Sequence, residues 1–224
     1  ELVRAGCDVH AKGKNGETAA HICAALDLAE ELQWLMDNGQ VDPTALTERN
    51  ETVVHYAARN CRISFLEWVA KQPFGTYQFF CIADKRGHTC LHEAARAGIR
   101  LGVEWLLNFI EAQDRSNPDV DPLTPFYPKG GEKDPSAIAR AEGHYRVEEL
   151  LSKYKAKFQR TRKARRQTSK RLLDAAREDN LRSVQALVRR NMRYFNVIDS
   201  HHPRTGNNAM LEAAAAGNAA IVRW

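Results

Sequence analysis

The sequence predicts an all-α fold built from stacked helix–turn–helix units, and two observations support this prediction. The first is the stretch from Lys85 to Asn108, whose pattern is typical of a loop, a short helix, a tight turn and a second helix. The second is that this pattern recurs along the chain. Two helices this short cannot bury their apolar faces alone, so neighbouring units must stack on both sides.

Each part of this stretch has a residue that favours it. Thr89 is expected to cap the first helix, because its side chain can satisfy an unpaired backbone amide. Ala94 and Ala95 give that helix a face that a neighbouring helix can approach closely. Gly98 ends the first helix, as glycine commonly does. The second helix carries an apolar stripe formed by Val103, Leu106 and Leu107.

The helix-start positions recur at intervals of 34, 37, 45, 36 and 38 residues. They are Thr18, Thr52, Thr89, Asp134, Lys170 and Asn208. In the first three units a histidine follows the threonine by three residues. This resembles the ankyrin-repeat signature, Thr-Pro-Leu-His-x-Ala with a period of about 33 residues, although the proline is absent from these three units.

The resemblance implies an ankyrin-repeat solenoid of helix–turn–helix units with hairpin-like finger loops. It also implies a structural role for the recurring histidine, which in the family lies at the helix start and bonds to the backbone. Residues 1–152 are predicted to hold a partial first unit and about four more, of which the fourth is degenerate. A basic helical linker is expected at 153–168, followed by a second, truncated set of ankyrin repeats at 169–224 that Ser169 would cap. Both ends of the chain resemble the interior of a unit, which suggests a fragment of a larger ankyrin-repeat protein.

A proline-rich insertion is expected at 111–133 as an irregular loop. Long loops in compact folds are often functional. Two interpretations stay open: a disordered surface insertion, or a contact arm with Phe126 and Tyr127 as its anchors.

Positive charge is concentrated in one segment of the chain. Residues 153–171 contain ten Lys and Arg residues and no acid, whereas the whole chain has a net charge of only +5. A plain linker, docking to an acidic partner or RNA, and nuclear import are all consistent with such a run. The candidate anion or nucleic-acid contacts are Lys153, Lys155, Lys157, Arg160, Arg162, Lys163, Arg165 and Arg166.

No motif in the sequence indicates an enzyme, and we expect neither a cofactor nor a small-molecule substrate. The five cysteines include no CxxC pair, which favours an intracellular protein, cytoplasmic or nuclear, with free thiols. His88, Cys90 and His92 alternate, but their side chains would diverge at a helix start, so we expect no metal site. No apolar run is long enough to insert into a membrane.

The resemblance places partner binding on the finger loops and on the exposed side of the inner helices, which together form a concave face. Ile22 and Leu26 belong to that inner-helix surface. The candidate partner-binding residues are Lys14, Asn15, Glu17, Arg49, Glu51, Tyr56, Arg59, Asn60, Lys85, Arg86, His88, Glu93 and Arg96. The predicted function is a non-catalytic scaffold for a protein partner. The alternatives are a nucleic-acid-associated assembly protein that uses 153–171, or the regulatory ankyrin arm of an enzyme or channel.

Overall fold

The computed structural model describes residues 8–39, 41–117, 120–127, 134–190 and 208–223, with the side chains of Arg165 and Arg190 left out. Within these ranges the chain forms helices and no strands. It divides into two compact units, one of Glu1–Gln113 and Pro122–Lys155, the other of Asp114–Asp121 and Ala156–Trp224. The predicted all-α class is confirmed.

The first unit is a row of short helices. They are α1 (Ala19–Leu26), α2 (Ala29–Gly39), α3 (Val53–Arg59), α4 (Ile63–Lys71), α5 (Tyr77–Phe80), α6 (Cys90–Ala97), α7 (Arg100–Ser116) and α8 (Pro135–Ala141). The inner helices pack consecutively, α1 on α3, α3 on α6 and α6 on α8. Small side chains line these contacts, since Ala24, Ala57 and Ala95 are fully buried. Larger apolar residues such as Phe65 and Leu106 fill the space beside the second helix of a unit.

The three finger loops have the same backbone hydrogen bonds. In each loop the amide at the start of the hairpin donates to the carbonyl at its end: Gly13 to Glu17 at 2.7 Å, Thr47 to Glu51 at 3.1 Å and Asp84 to His88 at 2.8 Å. Neighbouring fingers are also joined, because the Glu48 amide donates to Asn15 O and the Lys85 amide to Arg49 O, both at 2.9 Å. The finger loops of the first three helix–turn–helix repeats are therefore structurally equivalent.

The turn after the inner helix is left-handed in every unit for which it is described. The residues at this position are Asp27 (φ 65°), Cys61 (φ 53°), Gly98 (φ 70°), Gly143 (φ 79°), Asp179 (φ 55°) and Gly217 (φ 77°). A left-handed conformation suits glycine and is tolerated by aspartate, but it is costly for cysteine. The departure from the pattern at Cys61 is thus a strained backbone position.

Replacing Gly98 with alanine is expected to lower the free energy of unfolding by about 2–3 kcal/mol. The left-handed backbone alone costs an L-residue about 1–2 kcal/mol. In addition, the new Cβ would lie 2.5 Å from ring atoms of His144, whose Nε2 bonds to Arg96 O at 3.1 Å. Gly143→Ala is the matched control, since its φ is similar and a Cβ there has nothing within 4 Å. Urea denaturation of both variants separates the two costs, and an equal loss in both would contradict the steric argument.

The second half departs from the predicted boundaries. A single helix, α9 (Tyr145–Arg177), runs through 153–168 and past Ser169, so Ser169 and Lys170 start no helix and the predicted cap is wrong. The reason is that residues 145–177 include neither glycine nor proline and are rich in Lys, Arg, Ala and Leu, which favour a helix. In this part of the chain the repeat pattern is kept only in the left-handed turn at Asp179. Helix α10 (Leu181–Arg190) begins after that turn.

The proline-rich insertion is also partly different from the prediction. Helix α7 continues through Ser116, into the segment predicted as a loop. Phe126 is completely buried, so it is a core residue and not an anchor for a contact arm. The hydroxyl of Thr89 donates to Pro125 O at 2.9 Å, and this hydrogen bond connects the segment to the third helix–turn–helix repeat. Residues 118–119 and 128–133 lie outside the described ranges.

The second unit has its own core. The C-terminal part of α9, with α10, α11 (Ala209–Ala215) and α12 (Ala219–Arg223), buries Leu172, Leu173, Ala176, Val184, Ala213 and Ile221. Asn208 caps α11 through its side chain, as predicted for a helix start. The side-chain amide of Asn218 donates to the backbone carbonyls of Ala176 and Arg177 at 2.6 and 2.9 Å. Residues 191–207 are not described, so a second set of ankyrin repeats stays a prediction.

Candidate partner-binding surface

The recurring histidines hold the helix starts together. The backbone amides of Thr18, Thr52 and Thr89 donate to the Nδ1 atom of the histidine three residues on, at 3.3, 3.1 and 3.1 Å. Since Nδ1 accepts, Nε2 carries the proton. The Nε2 atoms of His21 and His55 donate to a backbone carbonyl of the following helix–turn–helix repeat, at 3.1 and 3.0 Å. The predicted structural role is confirmed.

An apolar area lies at the N-terminal end of the inner-helix surface. Ile22 and Leu26 are 50% and 55% exposed, one helical turn apart on α1. Ile22 and Tyr56 line a cavity of about 570 Å³, together with Val9, Ala11 and Leu35. The ring of Tyr56 meets His21 edge-on at 5.1 Å, and burial raises the pKa of its hydroxyl to about 12, with help from Glu51 and Glu17.

A charged cluster continues this surface. The guanidinium of Arg59 lies 5.3 Å from the centre of the Tyr56 ring and donates to Glu93 Oε2 at 2.8 Å and to the Glu51 carboxylate. Arg96 donates to Glu93 Oε1 at 2.5 Å. Arg86 lies 3.0 Å from the same oxygen and 2.8 Å from Asp84 Oδ2. Three guanidiniums therefore converge on one carboxylate.

The carboxylates of this cluster are buried and the guanidiniums are not. Glu51 and Glu93 are 3% and 0% exposed, whereas the side chains of Arg59, Arg86 and Arg96 are 31–45% exposed. Burial by itself raises the pKa of the Glu93 carboxyl, but the three guanidiniums hold it below its usual value. The prediction that Glu51 and Glu93 contact a partner is thus wrong: their ion pairs lie beneath the surface, and they position the arginines.

His88 belongs to the same cluster. Its ring stacks on His92 with centroids 5.3 Å apart, and its Nδ1 lies 3.1 Å from an Arg96 nitrogen that can only donate. Burial lowers the pKa of His88. The neutral, largely buried ring supports Arg96. Direct contact between His88 and a partner stays a prediction.

Asp84, His88 and Glu93 place possible ligand atoms within 4.8 Å of one another. These three side chains already accept hydrogen bonds from Arg86 and Arg96, and a divalent cation there would face the guanidinium charges. Ion pairing therefore accounts for this group of residues. Cys90, from the alternating trio in the sequence, is buried, and its thiol donates to Phe80 O at 3.2 Å.

The comparison with known families gives one result. Residues 1–77 match the family model for ankyrin repeats, in three copies. Residues 1–77 therefore contain ankyrin repeats. A search of curated proteins finds no match. Ankyrin repeats are in general protein-interaction modules and are typically non-catalytic. Among the described residues, no helix has the length and apolar character needed to cross a membrane.

The tips of the ankyrin fingers are exposed. Lys14, Arg49 and Lys85 all lie at these tips. Asn15 is exposed as well. Its side-chain amide donates to Glu17 Oε1 at 2.7 Å, and this hydrogen bond helps to lower the pKa of Glu17 to about 2. Asn60, at the end of α3, is exposed and donates to Tyr56 O at 2.9 Å.

Three residues of this region, Ile22, Leu26 and Asp84, are not among the predicted contacts. Ile22 and Leu26 were recognised as surface positions, but a single sequence gives no sign that they stay exposed next to a cavity. Asp84 was missed because it lies before the finger tip; it is buried, and its Oδ1 accepts from the amides of Arg86 and His88 at 2.8 Å each. A loop-starting Asp two residues before a turn was the available signal.

The predicted basic contacts of α9 fall into two groups. Lys155 pairs with Asp134 at 2.8 Å and lies over the Tyr127 ring at 5.0 Å, and Arg162 pairs with Asp121 at 3.1 Å. The exposed group comprises Lys153, Lys157, Arg160, Lys163 and Arg166. The side chain of Arg165 lies outside the described part of the structure.

Proposed function

We propose that the ankyrin repeats of the first unit bind a protein partner through a binding face made of Ile22, Leu26, Tyr56, Arg59 and Arg96, flanked by the finger residues Lys14, Arg49 and Lys85. The observation that supports this is the continuity of the face. Exposed apolar side chains lead through Tyr56 directly to half-exposed guanidiniums.

The chemistry of the face suggests what the partner presents. An apolar side chain would enter the cavity beside Ile22 and Tyr56, whose volume is within the usual range for binding pockets. A carboxylate next to it would meet the outer edges of Arg59 and Arg96. Because Glu51 and Glu93 already orient these guanidiniums, little side-chain entropy would be lost on binding. Arg and Tyr are also enriched at binding hot spots.

We place this interaction inside the cell, in the cytoplasm or nucleus. The described cysteines, Cys23, Cys61, Cys81 and Cys90, are all free thiols. Free thiols are typical of reducing compartments. Burial raises the pKa of the Cys23 and Cys81 thiols, so these cysteines fit structural roles.

The test uses Ile22→Asp with Leu26→Asp, because charge reversal at Arg59 would leave buried carboxylates unpaired and would disturb the fold. The immobilised chain is incubated with nuclease-treated extract of the cells that express it, and captured proteins are quantified by mass spectrometry. We expect at least one protein whose capture by the variant is reduced tenfold or more. Its affinity is then measured with purified protein by calorimetry.

The matched control is Met210→Asp with Leu211→Asp in the second unit. These side chains are 62% and 52% exposed, close to the values for Ile22 and Leu26. The control should capture the same protein as the unmodified chain. Equal capture by all three chains would overturn the proposed binding face.

A further inference from the structure

One side of α9 in the second unit carries a dense row of cations. Lys157, Arg160, Lys163, Arg166, Lys170 and Arg171 are all exposed, and we call them the basic face. Their spacing of mainly three or four residues places them along one broad side of the helix. From Lys157 to Arg171 the helix rises about 21 Å.

The opposite side of α9 is fixed by packing. Phe158, Leu172 and Ala176 are buried at 0–2% exposure, and Leu172 and Ala176 belong to the core of the second unit. Between these two sides, Arg162 pairs with Asp121 at 3.1 Å. The buried side holds the helix in one orientation, so the basic face is a fixed element of the surface.

The composition of the basic face limits the classes of ligand that it can bind. Between Lys157 and Arg171 the other exposed residues are Arg162, Gln159, Ala164 and Gln167, and all but Arg162 are small or carry a neutral amide. A helix that binds a membrane surface needs large apolar side chains to enter the lipid, and this side has none among its described residues. Stacking on the bases of a single strand needs aromatic side chains, which are absent from the same exposed side.

We propose that the basic face binds the phosphate backbone of a nucleic-acid duplex without reading its sequence. Six cations over about 21 Å lie on average about 4.2 Å apart along the helix axis, comparable to the axial spacing of about 3.4 Å between successive phosphates of one strand. The acid-free run from Lys153 to Arg171 leaves no carboxylate on this helix segment to repel the phosphates. This activity is separate from protein binding by the ankyrin face.

The proposal is tested with the full chain and fluorescein-labelled 20-base-pair duplexes of DNA and of RNA. Fluorescence anisotropy is measured between 50 and 200 mM KCl. We expect log Kd to depend steeply on log salt, since each phosphate contact contributes about 0.9 to the slope. Lys163→Gln, Arg166→Gln and Lys170→Gln together should reduce the slope by about 2–3 and weaken binding at least tenfold at low salt. Comparing the two duplexes shows whether the phosphates come from DNA or RNA.

The control variant removes three exposed cations that belong to neither the basic face nor the proposed binding face, by Lys71→Gln, Arg100→Gln and Arg146→Gln. It should bind both duplexes like the unmodified chain. Circular dichroism should show equal helicity in all chains, because glutamine is about as good a helix former as lysine. A control as weak as the α9 variant, or no duplex binding by the unmodified chain, would overturn the proposal. So would equal binding to poly-glutamate or to phosphatidylserine vesicles, which would assign the face to acidic proteins or membranes.

Discussion

Replacing Glu93 with glutamine is expected to lower the free energy of unfolding by about 3 kcal/mol. Glutamine has nearly the same size, so the loss reports the missing charge. Arg59, Arg86 and Arg96 would then converge on a neutral amide in a buried position. Removing one partner of a buried ion pair typically costs 3–5 kcal/mol, and the partial exposure of these arginines places the cost at the low end.

Urea denaturation at pH 7 measures this effect. Glu104→Gln is the matched control, because Glu104 pairs with Arg100 one helical turn away at 2.7 Å and that pair is open to solvent. Exposed pairs of this kind contribute about 0.3–0.5 kcal/mol. A loss below about 1 kcal/mol for Glu93→Gln would show that the buried carboxylate does not hold the cluster together.

The repeated parts of the fold could be predicted because the same residues recur for the same local reason. Thr18, Thr52 and Thr89 each start a helix and each bond to a histidine, so three copies of one pattern support a single interpretation. The left-handed turns follow from Gly98 and from the tolerance of Asp27 for that conformation. These features depend on a few neighbouring residues, which a single sequence contains.

The errors arose where distant residues decide the outcome. Glu93 is a charged residue on a short helix, and such residues are usually solvated. Its burial depends on Arg59, in the preceding unit, and on the finger residue Arg86. Phe126 resembled an exposed anchor because the packing of its loop against the third unit cannot be seen in a sequence. The helix boundary expected at Ser169 was lost because nothing in α9 interrupts the helix.

Replacing His55 with alanine is expected to lower the free energy of unfolding by about 3 kcal/mol at pH 7.5. The His55 ring is fully buried and joins the Thr52 amide, at 3.1 Å, to His88 O of the next finger, at 3.0 Å. Alanine leaves both groups without that partner, and each unsatisfied buried polar group costs about 1–3 kcal/mol. The exposed His10 provides the control, and His10→Ala should change the free energy by less than about 0.5 kcal/mol.

The same variant should reveal a pH dependence with a defined sign. Burial lowers the pKa of His55 from the ordinary 6.5, against the opposing influence of the His88 carbonyl and nearby carboxylates. Below pH 6.5 the unfolded chain therefore takes up a proton that the folded chain refuses, so the stabilisation by neutral His55 is complete above that pH and is lost as the pH falls. The free-energy difference between the unmodified chain and His55→Ala should shrink from pH 7 to pH 5.5, by at most about 1.4 kcal/mol per pH unit. Urea denaturation at pH 7.5, 6.5 and 5.5 measures this difference. A difference that grows on acidification would mean that His55 is protonated and paired with Glu93 or Asp84, and that the finger is held by charge and not by a neutral hydrogen-bonded ring.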